Sequence, residues 1–187
     1  MDEERLRAVT IGELTPHQTK IVIADYDPAW PSWYEWDRAR IAAALSSVAL
    51  SIEHVGSTSV PGLPAKPIID ILLVVPDSTD EESYVPPLEA QGYALRIREP
   101  EWLEHRLVRR RGEPPHDVNV HVFSVAHAEK EITRMLAFRD WLRTHPDDRD
   151  RYAATKRELS TREWRYVQDY ADAKTEVVEE ILAKALG

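Results

Sequence analysis

The chain has 187 residues, 43% of them hydrophobic, and its 24 basic and 33 acidic side chains give a formal net charge of −9. It contains no cysteine, which excludes disulfides and thiolate metal sites, and no apolar run reaches the roughly 20 residues that a membrane-spanning helix needs. Its negative charge repels long polyanions, so we expect no long nucleic acid as a partner, whereas a local basic cluster still attracts a small phosphorylated molecule.

The length predicts one domain over residues 1–187. Residues 1–17 are interpreted as an N-terminal arm, and residues 128–187 as a helical C-terminal portion that packs on a sheet. The first five residues lack the basic and apolar stretches of a secretory signal. We therefore expect a cytoplasmic protein without membrane association.

Hydrophobic periodicity and turn residues predict an α+β protein, in which a mixed β-sheet is flanked by helices. Alternating or continuous apolar runs predict strands, the first of them a strand or an extended arm, over residues 20–24, 50–55, 68–75, 93–98, 103–110 and 117–123. Helical spacing predicts helices over residues 33–47, 81–91, 128–144, 148–159 and 166–186. Trp33, Trp36, Trp141 and Trp164 fall at helical spacings that favour core packing.

A turn rich in glycine and hydroxyl groups follows the strand predicted over 50–55, and it consists of Gly56, Ser57, Thr58 and Ser59. Glycine lets the backbone approach a ligand, and successive hydroxyl and N–H groups suit a phosphate. Lys66 follows as a mobile positive charge. The alternative is a plain turn, because the same residue types are the commonest turn formers.

Asp70 is the single acid in the most apolar strand, 68–75. An ionised carboxylate is costly there without a partner such as a metal or a base. The alternative is a carboxylate that only accepts hydrogen bonds from backbone N–H groups. Taken with the adjacent turn, the pattern favours a binding site.

Two further polar side chains, Asn119 and His121, share one face of the strand over 117–123. We expect them to meet Asp70 across the sheet, so that His54, Asp70 and His121 form a single-metal or acid–base site. In that site Asp70 and His121 are the predicted catalytic residues. A hydrogen-bonded polar cluster without a ligand is the alternative.

A run of arginines lies near the end of the strand over 103–110. Arg106, nearest the middle of the strand, is the predicted anion ligand, because guanidinium suits bidentate contacts. Arg110 and Arg111 are interpreted as solvated loop residues.

Several strings along the chain resemble the GrpB family. They are residues 54–71, the opening 26–30, the helical string 138–143 with Tyr152 and Lys156, and residues 170–174. The resemblance implies a nucleotidyltransferase-like fold, in which the turn holds triphosphate and strand acids hold two Mg²⁺ ions. It also adds Arg139 and Lys174 as anion contacts and implies Mg²⁺ or another divalent metal as cofactor.

The sequence departs from that pattern at Leu72, where nucleotidyltransferases carry a second strand acid. Two divalent ions need several carboxylate oxygens, so the departure argues against two-metal phosphoryl transfer. The predicted function is binding of a nucleotide or other phosphorylated small molecule, with nucleotidyl transfer diverged or lost. The alternative is a non-catalytic module that binds a protein partner or aids its folding, as the resemblance implies for GrpB-like domains fused to dephospho-coenzyme A kinase.

Overall fold

The computed structural model describes residues 3–14, 20–112 and 116–187, and a five-stranded mixed sheet forms its centre. The strands are β1 Ser51–Val55, β2 Ile68–Val75, β3 Ala94–Glu99, β4 His105–Arg110 and β5 Asp117–Ser124. Their order in the sheet is β1-β2-β5-β4-β3. Strands β2 and β5 are parallel, and the other neighbouring pairs are antiparallel.

Strand β2 lies inside the sheet and is covered on both faces, which explains its continuous apolar sequence. Ile69, Ile71 and Leu73 pack on one face in the largest hydrophobic cluster, which includes the fully buried Trp30. Leu72 and Val74 face the other way and pack in a second, smaller cluster. Asp70 shares this second face because side chains alternate along a strand.

Seven helices surround the sheet within the described ranges. They are α1 Glu3–Val9, α2 Trp30–Leu45, α3 Val85–Glu89, α4 Val125–Thr144, α5 Pro146–Ser160, α6 Val167–Asp172 and α7 Thr175–Leu186. The prediction of an α+β fold with a mixed sheet and a helical C-terminal portion is confirmed. None of the helices in these ranges has the length and apolar character needed to cross a bilayer.

Two predicted helices are wrong in detail. The helix expected over 81–91 is a 3-10 turn, Glu81–Ser83, followed by the short α3, because prolines 86 and 87 suit only the first turn of a helix. The helix expected over 166–186 is divided into α6 and α7. Tyr170 of α6 packs with Ile21, whereas Val177 of α7 packs in a different cluster.

The chain before α2 is mostly irregular. Within the predicted arm, 1–17, helix α1 is followed by a bridge from Thr10 to Ile97, and residues 1, 2 and 15–17 lie outside the described residues. Of the segment 20–24, only Ala24 forms a bridge, with Ala65, so the segment is an extended arm and no strand. Trp36 is 44% exposed and is not a core residue; guanidinium groups of Arg40 and Arg110 lie over its ring.

Candidate functional site

A cleft of about 930 Å³ opens beside the face of the sheet that carries Asp70. The turn after β1, the strands β2, β4 and β5, and the C-terminal helices α5 and α6 contribute to its lining. Its lining includes six basic side chains, Arg5, Lys66, Arg109, Arg111, Lys156 and Lys174. Four acids line it as well, namely Asp70, Glu99, Asp117 and Asp172.

The turn and the strand acid lie in contact. Gly56 has a φ of 68° and a ψ of −173°, a conformation that is essentially restricted to glycine. A Cβ atom at this position would lie 2.6 Å from Oδ2 of Asp70. Glycine is therefore required twice, by the backbone dihedrals and by the close approach of the carboxylate.

Asp70 is held from the neighbouring strand β5. Asn119, directly opposite in the register, donates from Nδ2 to Oδ1 of Asp70 at 2.7 Å. Nε2 of His121 lies 3.9 Å from the same oxygen. Burial raises the pKa of Asp70, but the imidazolium form of His121, together with Asn119 and Arg111, outweighs burial and holds the pKa of this carboxyl below its ordinary value. Asp70 is therefore an anion in the cleft, with 28% of its side chain exposed.

His121 is linked on its other side to residues that the sequence analysis did not single out. Its Nδ1 lies 3.1 Å from Nε2 of His105, and Nδ1 of His105 lies 2.7 Å from Oε2 of Glu99. Burial lowers the pKa of His105 to about 4. His105 is therefore neutral at neutral pH. No sequence signal placed Glu99 here, because its contact depends on the pairing of β3 with β4.

The three hydroxyls of the turn have different hydrogen-bond partners, and only that of Ser57 is bonded to a lysine of the described residues. Thr58 Oγ1 lies 3.0 Å from Nε2 of His54 and donates to the carbonyl of Ile68, and Ser59 Oγ donates to the carbonyl of Gly56. Both hydroxyls are buried and stabilise the turn itself. Ser57 Oγ, in contrast, accepts a hydrogen bond of 2.9 Å from Lys156.

Lys156 is a cleft residue that the prediction of site residues missed. It is 2% exposed, and its Nζ donates to Ser57 Oγ and to the carbonyl of Pro64. Burial, reinforced by nearby Lys174 and Arg157, lowers its pKa to about 7. A signal existed in the sequence, since Lys156 falls on the same helical face as Tyr152 and Leu159.

A second basic group lies at the β4 end of the cleft. Arg109 is opposite Asn119 in the register, and its buried Nε has no hydrogen-bond partner in the part of the chain that the structure describes. Burial, with the charge of Arg111, lowers the pKa of Arg109 to about 10. Burial, with Arg111 and Arg109, also lowers the pKa of Lys66. Arg111 is satisfied by Asn119 Oδ1 at 2.5 Å and by the carbonyl of Val118 at 2.7 Å.

The structure places Arg106, the arginine of β4 predicted as an anion ligand, outside the lining of the cleft. Arg106 is opposite Val122, on the face away from Asp70, and its Nε donates to Oε1 of Glu81 at 2.6 Å. Arg109 points into the cleft in its place. Arg110 is also not a solvated loop residue, because it is 1% exposed and pairs with the buried Asp37 at 3.0 Å.

Two other predicted ligands lie outside the cleft, and one lies inside it. Arg139 of α4 donates to Glu53 Oε2 at 2.8 Å and to the carbonyl of His54, and so fixes α4 to the edge strand β1. His54 is opposite Ile71 in the register, stacks on Tyr34, and therefore lies on the other face from Asp70. Lys174 lines the cleft with its Nζ 4.6 Å from the ring centre of Tyr170.

The donor set does not fit the two-metal site that the family resemblance implies. Leu72, at the position of the second acid, is fully buried and lies opposite His121 in the register. The predicted trio of His54, Asp70 and His121 does not converge, since His54 faces away. Within residues 3–14, 20–112 and 116–187, no group of three or more histidine or acidic side chains is arranged to hold a metal ion.

The mixed sheet and the cation-lined cleft beside a strand acid define an α+β protein with a site suited to an anionic ligand. The sequence model of the family described as GrpB protein matches residues 20–184, and the chain belongs to this family. The resemblance drawn from the sequence is thus confirmed.

Similar proteins agree with this assignment. A UPF0157 protein of Halalkalibacterium halodurans is 56% identical over 183 residues, which cover 98% of this chain and 91% of the relative. The crystal structure of conserved protein GrpB from Enterococcus faecalis superposes with a TM-score of 0.75 at 31% identity, covering 89% of this chain and 100% of that one. A dephospho-CoA kinase of Mycolicibacterium paratuberculosis is 30% identical over 159 residues, which cover 73% of this chain and 39% of that longer protein.

Proposed function

We propose that the cleft binds a phosphorylated small molecule of the nucleotide class, with a phosphate group against Arg109 and Lys66. The observation that carries the proposal is the buried Nε of Arg109, which has no hydrogen-bond partner within residues 3–14, 20–112 and 116–187. Buried polar groups are normally satisfied, and an unsatisfied guanidinium donor is costly unless a ligand accepts from it. A phosphate oxygen is the acceptor that matches this geometry.

Charge supports the same ligand class. The chain as a whole carries a charge of −9, yet six basic side chains line this one cleft. The depressed pKa values of Lys66, Arg109 and Lys156 express the free-energy cost of holding these cations away from water. A bound anion offsets that cost, and a volume of about 930 Å³ lies in the range of small-molecule and cofactor sites.

Thermal unfolding with and without nucleotide tests the proposal. ATP, ADP and inorganic phosphate are added to the full chain, each with Mg²⁺ and with EDTA, and binding is then titrated calorimetrically. A ligand at 100 times its Kd adds about 2.7 kcal/mol to the free energy of unfolding. Because a hydrogen bond to a charged group contributes about 1.5–3 kcal/mol, Arg109→Gln is expected to weaken binding by roughly tenfold or more.

The control is Arg162→Gln, which removes an exposed arginine that pairs with Glu158 and does not line the cleft. This variant is expected to bind as the unaltered chain does. Absence of stabilisation by any of the three phosphates would contradict the proposal, and so would equal affinities of the Arg109 and Arg162 variants.

A second candidate function is a folding-aid or interaction module, favoured by the match to 39% of a dephospho-CoA kinase. In that protein, a segment similar to this chain accompanies further sequence. The test is the refolding yield of a dephospho-CoA kinase that lacks such a segment, with and without this chain. A raised yield that is also obtained with Arg109→Gln supports the module. An unchanged yield contradicts it.

A further inference from the structure

A chain of contacts runs across the strands within the cleft. It runs from Glu99 on β3 through His105 on β4 to His121 on β5, and ends at Asp70 on β2. The successive heavy-atom distances are 2.7 Å, 3.1 Å and 3.9 Å. The chain crosses the sheet from β3 to β2, and each of these four neighbouring strands contributes one member.

The hydrogen-bonding roles within this chain follow from its acidic end. An ionised carboxylate only accepts, so the proton between Glu99 and His105 belongs to Nδ1 of His105. A neutral imidazole carries one N–H, which leaves Nε2 of His105 as an acceptor. His121 Nδ1 at 3.1 Å must then be the donor. The nitrogen of His121 that is left to gain or lose a proton is Nε2.

Burial keeps His105 in the neutral state that this assignment requires. The side chain is 3% exposed and is enclosed by Trp102, with ring centres 4.8 Å apart, and by Phe123, with ring centres 4.7 Å apart. The two aromatic rings cover the His105 ring, whereas Glu99 and His121 at its two ends keep 13% and 25% of their side chains exposed.

We propose that Nε2 of His121 is a fixed proton acceptor that faces the cleft, with Glu99 and His105 as positioning residues. The proton comes from a water molecule that donates one O–H to Nε2 and the other to Asp70, two acceptors that lie 3.9 Å apart. This proton transfer rests on the proposed function, because the phosphorylated ligand of the cleft is the second reactant.

The proton transfer has a definite balance. The O–H bond breaks, its proton moves to Nε2, and the imidazolium that forms is stabilised by the carboxylate of Asp70. The oxygen then bonds to a phosphorus atom of the bound ligand. The bond from phosphorus to the leaving oxygen breaks, and its electron pair stays on that oxygen. The leaving oxygen then accepts the proton from Nε2.

Nitrogen NMR of the histidine rings tests the assignment directly. The full chain is labelled with ¹⁵N histidine, and long-range ¹H–¹⁵N correlations are recorded at about pH 9, where an ordinary imidazole is neutral. We expect protons on Nδ1 of both His105 and His121, and a bare Nε2 on His121. A proton on Nε2 of His121 in the unaltered chain overturns the proposal.

Two variants and a control separate positioning from mere packing. Glu99→Leu removes the acceptor that orients His105, and His105→Phe keeps an aromatic ring but removes the acceptor for His121. In both, the share of molecules with a bare Nε2 on His121 is expected to fall from nearly all to a minority. Glu99→Gln is the control, because its amide oxygen still accepts from Nδ1 of His105.

An unchanged tautomer of His121 in both Glu99→Leu and His105→Phe would also overturn the proposal. The measurement needs no ligand, so its outcome is independent of whether nucleotides bind. Loss of nucleotide binding with the expected tautomer refutes the proposed function alone, and binding with the opposite tautomer refutes the proton acceptor alone.

Discussion

A Cβ atom on Gly56 would lie 2.6 Å from Oδ2 of Asp70, a separation shorter than any real Cβ contact. The turn after β1 and Asp70 of β2 can therefore approach this closely only because Gly56 has no side chain. This contact places the start of the hydroxyl-bearing turn directly against the charged atom of the cleft. The geometry of the site depends on it.

Gly56→Ala is expected to destabilise the protein by about 3 kcal/mol, since it combines a glycine-only backbone conformation with the overlap at Asp70. Gly62→Ala is the matched control. Gly62 also has a positive φ, 78°, but nothing lies within 4 Å of an added Cβ, so a loss of about 1 kcal/mol is expected. Urea unfolding measures both, and equal losses would refute the role of the contact.

Arg106 and Arg109 lie three residues apart on one strand and are expected to behave oppositely. Arg106→Met removes a buried ion pair with Glu81, which keeps Arg98, and is expected to cost about 2 kcal/mol of stability without changing nucleotide affinity. Arg109→Met removes an unsatisfied cation, so its stability is expected to stay equal or rise, while affinity falls. Urea unfolding and calorimetric titration of the two variants measure these effects. The reverse pattern would show that Arg106 is the ligand.

Lys156 makes the free energy of unfolding depend on pH above neutrality. Its folded pKa of about 7 lies below the ordinary 10.5, so the unfolded chain binds more protons between these values, and the free energy of unfolding rises with pH across that window. Lys156→Met is expected to show a smaller rise, because Lys66, whose pKa burial also lowers, still contributes to it, and the exposed Lys20→Met is expected to retain the full rise. Urea unfolding from about pH 6 to about pH 9 compares the three proteins. Parallel pH profiles for all three would contradict the prediction.

Asp37 is a buried acid outside the cleft, 0% exposed, and it pairs with Arg110 and His116. Asp37→Asn removes the buried carboxylate charge that pairs with Arg110 and His116, and we expect a loss of about 3–5 kcal/mol in urea unfolding. Asp25→Asn breaks the exposed pair with Arg157, and its effect is expected to stay within about 0.5 kcal/mol. A small loss for Asp37→Asn would mean that the network contributes little.

The sheet and part of the site were predictable because their signals are local. The run over 68–75 is apolar on both faces, which predicted a strand in the interior of the sheet. Asp70, the single acid of that run, was therefore predicted to need a partner. The alternation over 117–123 correctly placed Asn119 and His121 on one face, and the parallel register then brings that face to Asp70. Period-two patterns determine which residues share a face, whatever the strand order is.

The cations were harder to predict, because they depend on strand register and helix docking. Arg106 and Arg109 lie on opposite faces of β4, and only the pairing with β5 decides which face meets Asp70. Lys156 reaches the turn from a helix that follows it by about a hundred residues. No local pattern specifies such a contact, although the apolar face of α5 marked Lys156 as buried.

Lys156 donates to partners that precede it by 92 and 99 residues along the chain. Closing such a span costs conformational entropy, and we expect these bonds to form after the sheet is in place. During synthesis, the cleft stays incomplete until helix α5 has left the ribosome. A shortened chain that ends before α5 would keep the strands that carry Asp70 and His121 and yet lack one wall of the binding site.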